Sequence, residues 1–108
     1  MMAKDQPTLD QVRDFAPKLM ELTDDVLFGD VWERPGLSKR DRSLITVAAL
    51  VALYRINELP AHIKRAQANG ISKDELVELF THLAFYAGWP SAITAVRTAI
   101  LALDENQG

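Results

Sequence analysis

Cysteine is absent from the chain, which has 108 residues. A disulfide, a thiolate metal site and a thiol nucleophile are therefore excluded within this chain, because each requires a cysteine side chain. Glycine and proline are also scarce, with five of each. They stand at wide intervals, where helices can begin or end.

Long apolar runs and clusters of positive charge are missing as well. The longest apolar run, residues 44–54, falls well short of the ~18 residues that indicate a membrane span, and the polar first residues lack the apolar segment of a signal peptide. The net charge is −3, and no block of Lys and Arg offers the positive surface that nucleic acid binding needs. We therefore expect a cytoplasmic protein with no membrane and no nucleic acid partner.

The composition that remains is typical of a folded domain. Hydrophobic residues make up 48% of the chain and charged residues 25%, which is too apolar for a disordered protein. A chain of this size can build one modest core. We expect a single domain spanning residues 1–108, with flexible tails at 1–7 and 104–108.

Helix start and stop signals, without sustained alternation of apolar and polar residues, predict an all-α fold. Thr8 and Gln11 have the spacing of a capping box, and the helix that follows should kink or break at Pro17. Residues 28–36 are predicted to form a loop with a short turn. Ser38 is the predicted N-cap of the next helix, which is apolar on every face over most of its length.

Four further boundaries follow from the same signals. Asn57 is a candidate N-cap for the third helix, and Gly70 is its predicted terminator. Ser72 and Glu75 have the spacing of a second capping box, which opens the fourth helix. Gly88 is predicted to end that helix.

The last third of the chain carries more apolar surface than a small monomer can hide. Its final helix is predicted to start with Pro90 and to run to about Leu103. Within residues 76–103 only Glu78 and Arg97 are charged. Since large exposed apolar patches usually mark association sites, we expect a homo-oligomer.

Two Glu-His pairs are the first candidates for chemistry. Glu58 and His62 are spaced so that they share one face of a helix, and Glu78 and His82 repeat that spacing, with Tyr86 one turn further on. Each pair is either a structural hydrogen bond or part of a site where apolar surroundings shift a pKa. A metal site is disfavoured, because di-metal helical bundles place Glu and His three apart and use more carboxylates.

Arginines and a tryptophan are candidates for substrate binding. Arg42 and Arg55 bracket the second helix, and either can hold a carboxylate through paired N–H donors. An arginine near a helix end is also often a solvated charge. Trp89 can form a wall of the substrate site or pack in the core or an interface.

Three segments carry a family resemblance: FGDVWERPGLSKRDRSLITVAA, NELPAHIKRAQANGISKDELVELF and YAGWPSA. Their order, spacing and helix boundaries resemble the carboxymuconolactone decarboxylase family over about residues 15–103. The resemblance implies the alkylhydroperoxidase-D-like fold, a bundle of about five to six helices that assembles into trimers or hexamers.

The antioxidant branch of that family uses a Cys-x-x-Cys pair followed by a histidine. When that histidine is aligned with His62, the two cysteine positions fall on Arg55 and Glu58, and the position of an acidic proton relay falls on Ser43. Every element of the thiol relay except the histidine is therefore replaced. Peroxide reduction by that route is chemically impossible in this chain.

The decarboxylase branch implies a different reaction: loss of CO₂ from 4-carboxymuconolactone in the protocatechuate branch of aromatic catabolism, without a cofactor. Decarboxylation next to an unsaturated lactone needs donors at the carbonyl oxygen, an acid that protonates carbon, and a cation for the remaining carboxylate. We assign proton transfer to His62 with Glu58, oxyanion stabilisation to His82 with Tyr86, and carboxylate anchoring to Arg42.

Two other functions remain open at the level of sequence. The chain can be a non-catalytic helical oligomer that binds a small ligand or a partner protein. It can also be a member of the family classed with peroxidases or peroxiredoxins that acts without thiols of its own. A pocket that gathers Arg, His and Tyr would favour the enzyme over the binding protein.

Overall fold

A computed structural model describes the backbone of residues 6–107 and the side chains of residues 6–104. Within that range the chain is all-helical, as predicted, and contains no strand. Its α-helices are α1 (Leu9–Phe15), α2 (Pro17–Leu22), α3 (Lys39–Ala52), α4 (Leu59–Ala68), α5 (Lys73–Ala87) and α6 (Trp89–Gln107). A π-helical segment, Thr23–Phe28, and a short 3₁₀ segment, Val31–Glu33, lie between α2 and α3.

The described residues form two compact units, one up to residue 36 and the other from residue 37 onward. In the first unit the capping box of α1 is confirmed, because Gln11 N–H donates to the Thr8 hydroxyl and Thr8 N–H donates to the Gln11 side chain. The predicted break at Pro17 is also confirmed. Ala16 leaves the helical region, as a residue before proline tends to do, and α2 starts at Pro17.

The second unit is a bundle of the four helices α3 to α6, which pack on one another in pairs. Its core is formed by buried apolar side chains from all four helices and from Ile71, which lies between α4 and α5. The helical members are Val47, Val51, Leu59, Ile63, Ala66, Leu76, Phe80, Ala95, Ala99 and Ala102. The contribution of α6 consists of alanines at helical spacing. Small side chains let the neighbouring helices approach α6 closely, so that a short chain can still build a dense core.

The predicted caps of α3 and α5 are present. Ser38 accepts a hydrogen bond from Asp41 N–H at 3.0 Å. Ser72 and Glu75 form the reciprocal capping box of α5, with N···O distances of 3.0 and 3.1 Å. Gly88 follows α5 as its C-cap with φ of 105°, a value that residues with a Cβ rarely adopt.

Two predicted boundaries are wrong. Asn57 is not the cap of α4: that position belongs to Glu58, whose side chain makes no capping bond, and Pro60 within the first turn needs no donor. The last helix does not end near Leu103 but continues to Gln107, because no glycine or proline interrupts it before Gly108.

The predicted N-terminal tail, 1–7, lies largely outside the described residues, as does residue 108 at the other end. Among the helices of the described part, none combines the length and the apolar character needed to cross a lipid bilayer.

Candidate active site

The loop between α3 and α4 carries the first group of candidate residues. At the end of α3, Tyr54 N–H donates to the Val51 carbonyl at 3.1 Å and Arg55 N–H donates to the Leu50 carbonyl at 2.8 Å. These two bonds form a Schellman motif, whose residue after the cap takes a positive φ. That residue is Tyr54, with φ of 59°. The motif turns the chain sharply and directs it into the loop that carries Arg55.

Arg55 and Glu58 form an ion pair in this loop. Arg55 Nε donates to Glu58 Oε1 at 2.9 Å, and the two side chains are 62% and 45% exposed. The Arg55 carbonyl accepts hydrogen bonds from the N–H groups of Glu58 and Leu59, which start α4. An exposed pair of this kind contributes little to stability. Its geometry nevertheless presents a guanidinium with further N–H donors to solvent, next to a carboxylate.

His62 lies one turn into α4 and is half-buried. Burial lowers the pKa of its imidazole below the ordinary value of 6.5, Arg65 lowers it further, and Glu58 opposes both by raising it. His62 is therefore more acidic when protonated than a free imidazole, although the negative charge of Glu58 partly offsets this shift. Arg55, Glu58 and His62 form one local group at the start of α4.

The second group lies on α5 and at the start of α6. The His82 and Tyr86 rings are in contact, with centroids 4.8 Å apart, which confirms that the two side chains share one face of α5. Phe85 makes an edge-to-face contact with Trp89 at 5.4 Å. Tyr86 is 78% exposed and Trp89 57% exposed, and His82 is exposed as well. The pair is not the buried imidazole and phenol that the apolar sequence around it suggested.

Arg42 lies at the other end of α3 from Arg55. It is half-buried, and its neighbour Ser43 is buried and accepts a hydrogen bond from Asn69 Nδ2 at 2.9 Å. Asn69 is the C-cap of α4, so Arg42 lies near the end of α4 that is roughly 10 Å along the helix axis from His62. Arg55, rather than Arg42, is linked to the His62 group, through its ion pair with Glu58, whereas Arg65 is the arginine whose charge acts on the His62 imidazole itself.

Among the seven predicted site residues, the structure brings Arg55 into contact with Glu58 and His82 into contact with Tyr86. His62 lies close enough to Glu58 to respond to its charge, whereas Trp89 contacts Phe85 and Arg42 lies at the other end of α3. Among the described residues, no ring contact or hydrogen bond joins the group on α4 to the group on α5. The apolar grooves of this unit lie between α5 and α6, where Trp89 lines one of them with Phe80 and Ile93. In the described part of the chain, no three His, Asp or Glu side chains cluster as metal ligands would.

Two residues next to the site were missed at the sequence level. The Tyr54 hydroxyl lies 3.3 Å from the Thr94 hydroxyl on α6, so the residue that precedes Arg55 is linked to a second helix. A tyrosine at a helix end has no motif that reveals this contact. The one signal available was the end of the apolar run at Tyr54, and that signal did not indicate a left-handed conformation.

The sequence has clear relatives. Residues 17–100 match the sequence profile of the carboxymuconolactone decarboxylase family. The chain is 40% identical over 92 residues to 4-carboxymuconolactone decarboxylase from Acinetobacter baylyi, which covers 85% of this chain and 69% of that protein. It is 38% identical over 76 residues to a nitrosuccinic acid decarboxylase from Metarhizium robertsii, covering 70% of this chain and 53% of that protein. The chain spans about half the length of this second relative. Both relatives are decarboxylases, so the comparisons support a carboxy-lyase.

Proposed function

This chain belongs to the carboxymuconolactone decarboxylase family, and on that premise we propose that it is a decarboxylase of a small carboxylated lactone that works without a cofactor. The observation that carries the proposal is the group at the start of α4, where Arg55, Glu58 and His62 place a cation, a carboxylate and an imidazole side by side. The arginine and the imidazole supply two of the three groups that such a decarboxylation requires, a cation for the carboxylate that stays and an acid that protonates carbon.

The reaction begins with binding of the carboxylate that stays on the substrate. Arg55 uses one N–H for Glu58, and its remaining donors are available to bind a carboxylate in the paired geometry that guanidinium favours. Arg42 is the second candidate for this role, and Trp89 is a candidate wall for the lactone ring. Because Arg55 is adjacent to His62 through Glu58, we favour it over Arg42 as the anchor.

The chemical step moves one electron pair and one proton. The C–C bond to the departing carboxylate breaks, CO₂ leaves, and the electron pair spreads onto the lactone carbonyl. The His62 imidazolium then delivers its proton to carbon and becomes neutral, after which it regains a proton from solvent. Glu58 orients the ring and favours its protonated form, while burial keeps the imidazolium acidic enough to release the proton.

His82 and Tyr86 are the proposed donors to the lactone oxygen. Their exposure in the chain suits this role only where another surface covers them, because hydrogen-bond donors stabilise an oxyanion strongly only when water is displaced. Covering by another subunit of a trimer or hexamer would meet that condition. The proposal therefore includes assembly, and it agrees with the exposed apolar side chains that surround the pair.

The direct test is turnover of 4-carboxymuconolactone by the purified protein, followed through CO₂ release. We expect His62→Gln to lower kcat by about 10²- to 10⁴-fold, because general acid catalysis is typically worth that much. The same variant should also lose the part of the kcat–pH profile in which activity falls as pH rises. His82→Gln removes the other imidazole, a proposed oxyanion donor, so it should lower kcat but keep that part of the pH profile. Unfolding curves establish that both variants fold.

Three outcomes would contradict parts of this assignment. Parent-like kcat in His62→Gln with a large loss in His82→Gln would move the proton donor to α5. Turnover of nitrosuccinate, the substrate in the name of the second relative, with no turnover of the lactone would support decarboxylation but contradict the proposed substrate. Binding of both acids without release of CO₂ would instead favour a ligand-binding protein.

A further inference from the structure

The residue between α3 and the candidate site has a backbone conformation that its side chain disfavours. Tyr54 has φ of 59° and is the one non-glycine residue in the described part of the chain with a positive φ. In the Schellman motif this position is usually occupied by glycine, because a Cβ crowds the following carbonyl. A tyrosine here must be held in place by its surroundings.

A contact of the Tyr54 side chain explains why a tyrosine, rather than a glycine, occupies this position. Its hydroxyl lies 3.3 Å from the Thr94 hydroxyl, and the residue is 52% exposed, so about half of its surface is covered by neighbours. Glycine would fit the backbone better but would not reach α6. The tyrosine therefore accepts a strained backbone conformation and in return connects the end of α3 to the second turn of α6.

This connection lies next to the proposed catalytic group. Arg55 follows Tyr54 directly, and its N–H completes the Schellman motif by donating to the Leu50 carbonyl. The Arg55 carbonyl then accepts from Glu58 N–H, and its guanidinium holds the Glu58 carboxylate. The position of Tyr54 thus fixes Arg55, and the two hydrogen bonds between Arg55 and Glu58 in turn fix the carboxylate that acts on His62.

We propose that Tyr54 is a positioning residue, which uses its hydroxyl contact with Thr94 to hold Arg55 and Glu58 in place beside His62. The inference rests on the proposed function for its effect on turnover, but its effect on His62 does not depend on any substrate. Glu58 raises the pKa of the His62 imidazole, whereas Arg65 and burial lower it. A less ordered Glu58 should leave the lowering influences in place, so that the pKa of His62 falls further.

The experiment compares Tyr54→Phe, Thr94→Val and the double variant, each of which removes one or both hydroxyls and little else. We expect either single variant to lower kcat/KM for 4-carboxymuconolactone by about 3- to 10-fold, the range that loss of one hydrogen bond in a positioning network produces. The double variant should be no worse than the singles, because both remove the same interaction. Thr98→Val is the matched control, since its hydroxyl donates within α6 to the Thr94 carbonyl.

The second readout is the pKa of His62, measured from its ring proton signals by NMR. The chain has two histidines, so His82→Gln assigns the signals without further labelling. We expect the pKa of His62 to fall in Tyr54→Phe and in Thr94→Val and to stay unchanged in Thr98→Val. A role in folding alone would lower the unfolding midpoint without moving this pKa.

The two readouts separate the inference from the proposed function. A shifted His62 pKa in a protein that does not turn over the lactone would support the positioning role and contradict the proposed substrate. An unchanged His62 pKa in both single variants, or additive losses of kcat/KM in the double variant, would overturn the positioning role.

Discussion

His62 is the titratable side chain in which burial and charge meet at the candidate site. It is half-buried, and the main cause of its lowered pKa is loss of contact with water, with Arg65 adding to the effect. His82, the other histidine, is exposed and stacks on Tyr86. The two imidazoles therefore differ in environment, although their sequence contexts look alike. This difference should appear in how the free energy of unfolding depends on pH.

We expect the stability of the protein to fall as pH drops below 6.5, in part through His62. The folded pKa of His62 lies below the unfolded value of 6.5, so the unfolded chain binds more protons in this window and is favoured as pH falls toward the folded pKa. Urea unfolding at a series of pH values should show a weaker pH dependence in His62→Gln than in the parent.

His82→Gln is the control for that measurement. It removes an exposed imidazole of the same type, and the parent's pH dependence should persist in it. Equal slopes of stability against pH in the parent and in His62→Gln would contradict the pKa shift, whatever the role of the residue in catalysis.

At the scale of helices, the N-termini of α4 and α5 differ in how their first N–H groups find hydrogen-bond acceptors. The capping box of α5 satisfies two of them, through Ser72 and Glu75. The Ser72 N–H first, and the Arg40 guanidinium second, lower the pKa of the Glu75 carboxyl. By contrast, α4 starts at Glu58 without a side-chain cap. The start of α4 therefore depends on the loop before it, which is also where the candidate catalytic group lies.

This difference predicts unequal costs for two similar substitutions. Ser72→Ala should lower the free energy of unfolding by about 1 kcal/mol, the usual value of an N-cap side chain. Asn57→Ala should cost less than about 0.5 kcal/mol, because Asn57 is an exposed residue that does not cap α4. Chemical denaturation of the two variants beside the parent measures both values. A cost for Asn57→Ala equal to that for Ser72→Ala would mean that Asn57 caps α4 in solution.

At the scale of the whole molecule, the unit from residue 37 onward leaves much apolar surface uncovered. Exposed side chains on α5 and α6 include Phe85, Trp89, Ile100 and Leu101, with Ile100 56% exposed. Their inward-facing neighbours fill the core of the bundle, so these side chains have no place in it. Exposed apolar side chains in this number are typical of subunit interfaces.

We therefore expect light scattering to show a trimer or hexamer in which each contact buries more than roughly 1,000 Å². Ile100→Glu should shift the protein toward smaller species, because a buried carboxylate without a partner is costly. Ala68→Glu introduces the same charge at an exposed position on α4 and should leave the mass unchanged. A well-folded parent monomer at micromolar concentration would remove this prediction, and with it the proposed covering of His82 and Tyr86.

The sequence by itself determined the features that depend on a few neighbouring residues. The capping boxes at Thr8 and Ser72, the break at Pro17 and the turn at Gly88 were all predicted correctly, because each is a hydrogen bond or a steric restriction within about four residues. The absence of cysteine also excluded thiol chemistry, because this conclusion follows from composition alone and needs no knowledge of the fold. The family was also recognisable from its motifs, and the match of residues 17–100 to the family's sequence profile confirms it.

Only the tertiary structure decided what surrounds each side chain. His62 and His82 each follow a glutamate at the same spacing, yet one is half-buried and the other exposed, because burial depends on helices that are distant in sequence. The Tyr54 contact with Thr94 joins residues on different helices, and no local pattern encodes it. Local signals determine where helices begin and end, whereas packing determines which polar side chains on them come into contact. The chemistry of this protein depends on those contacts.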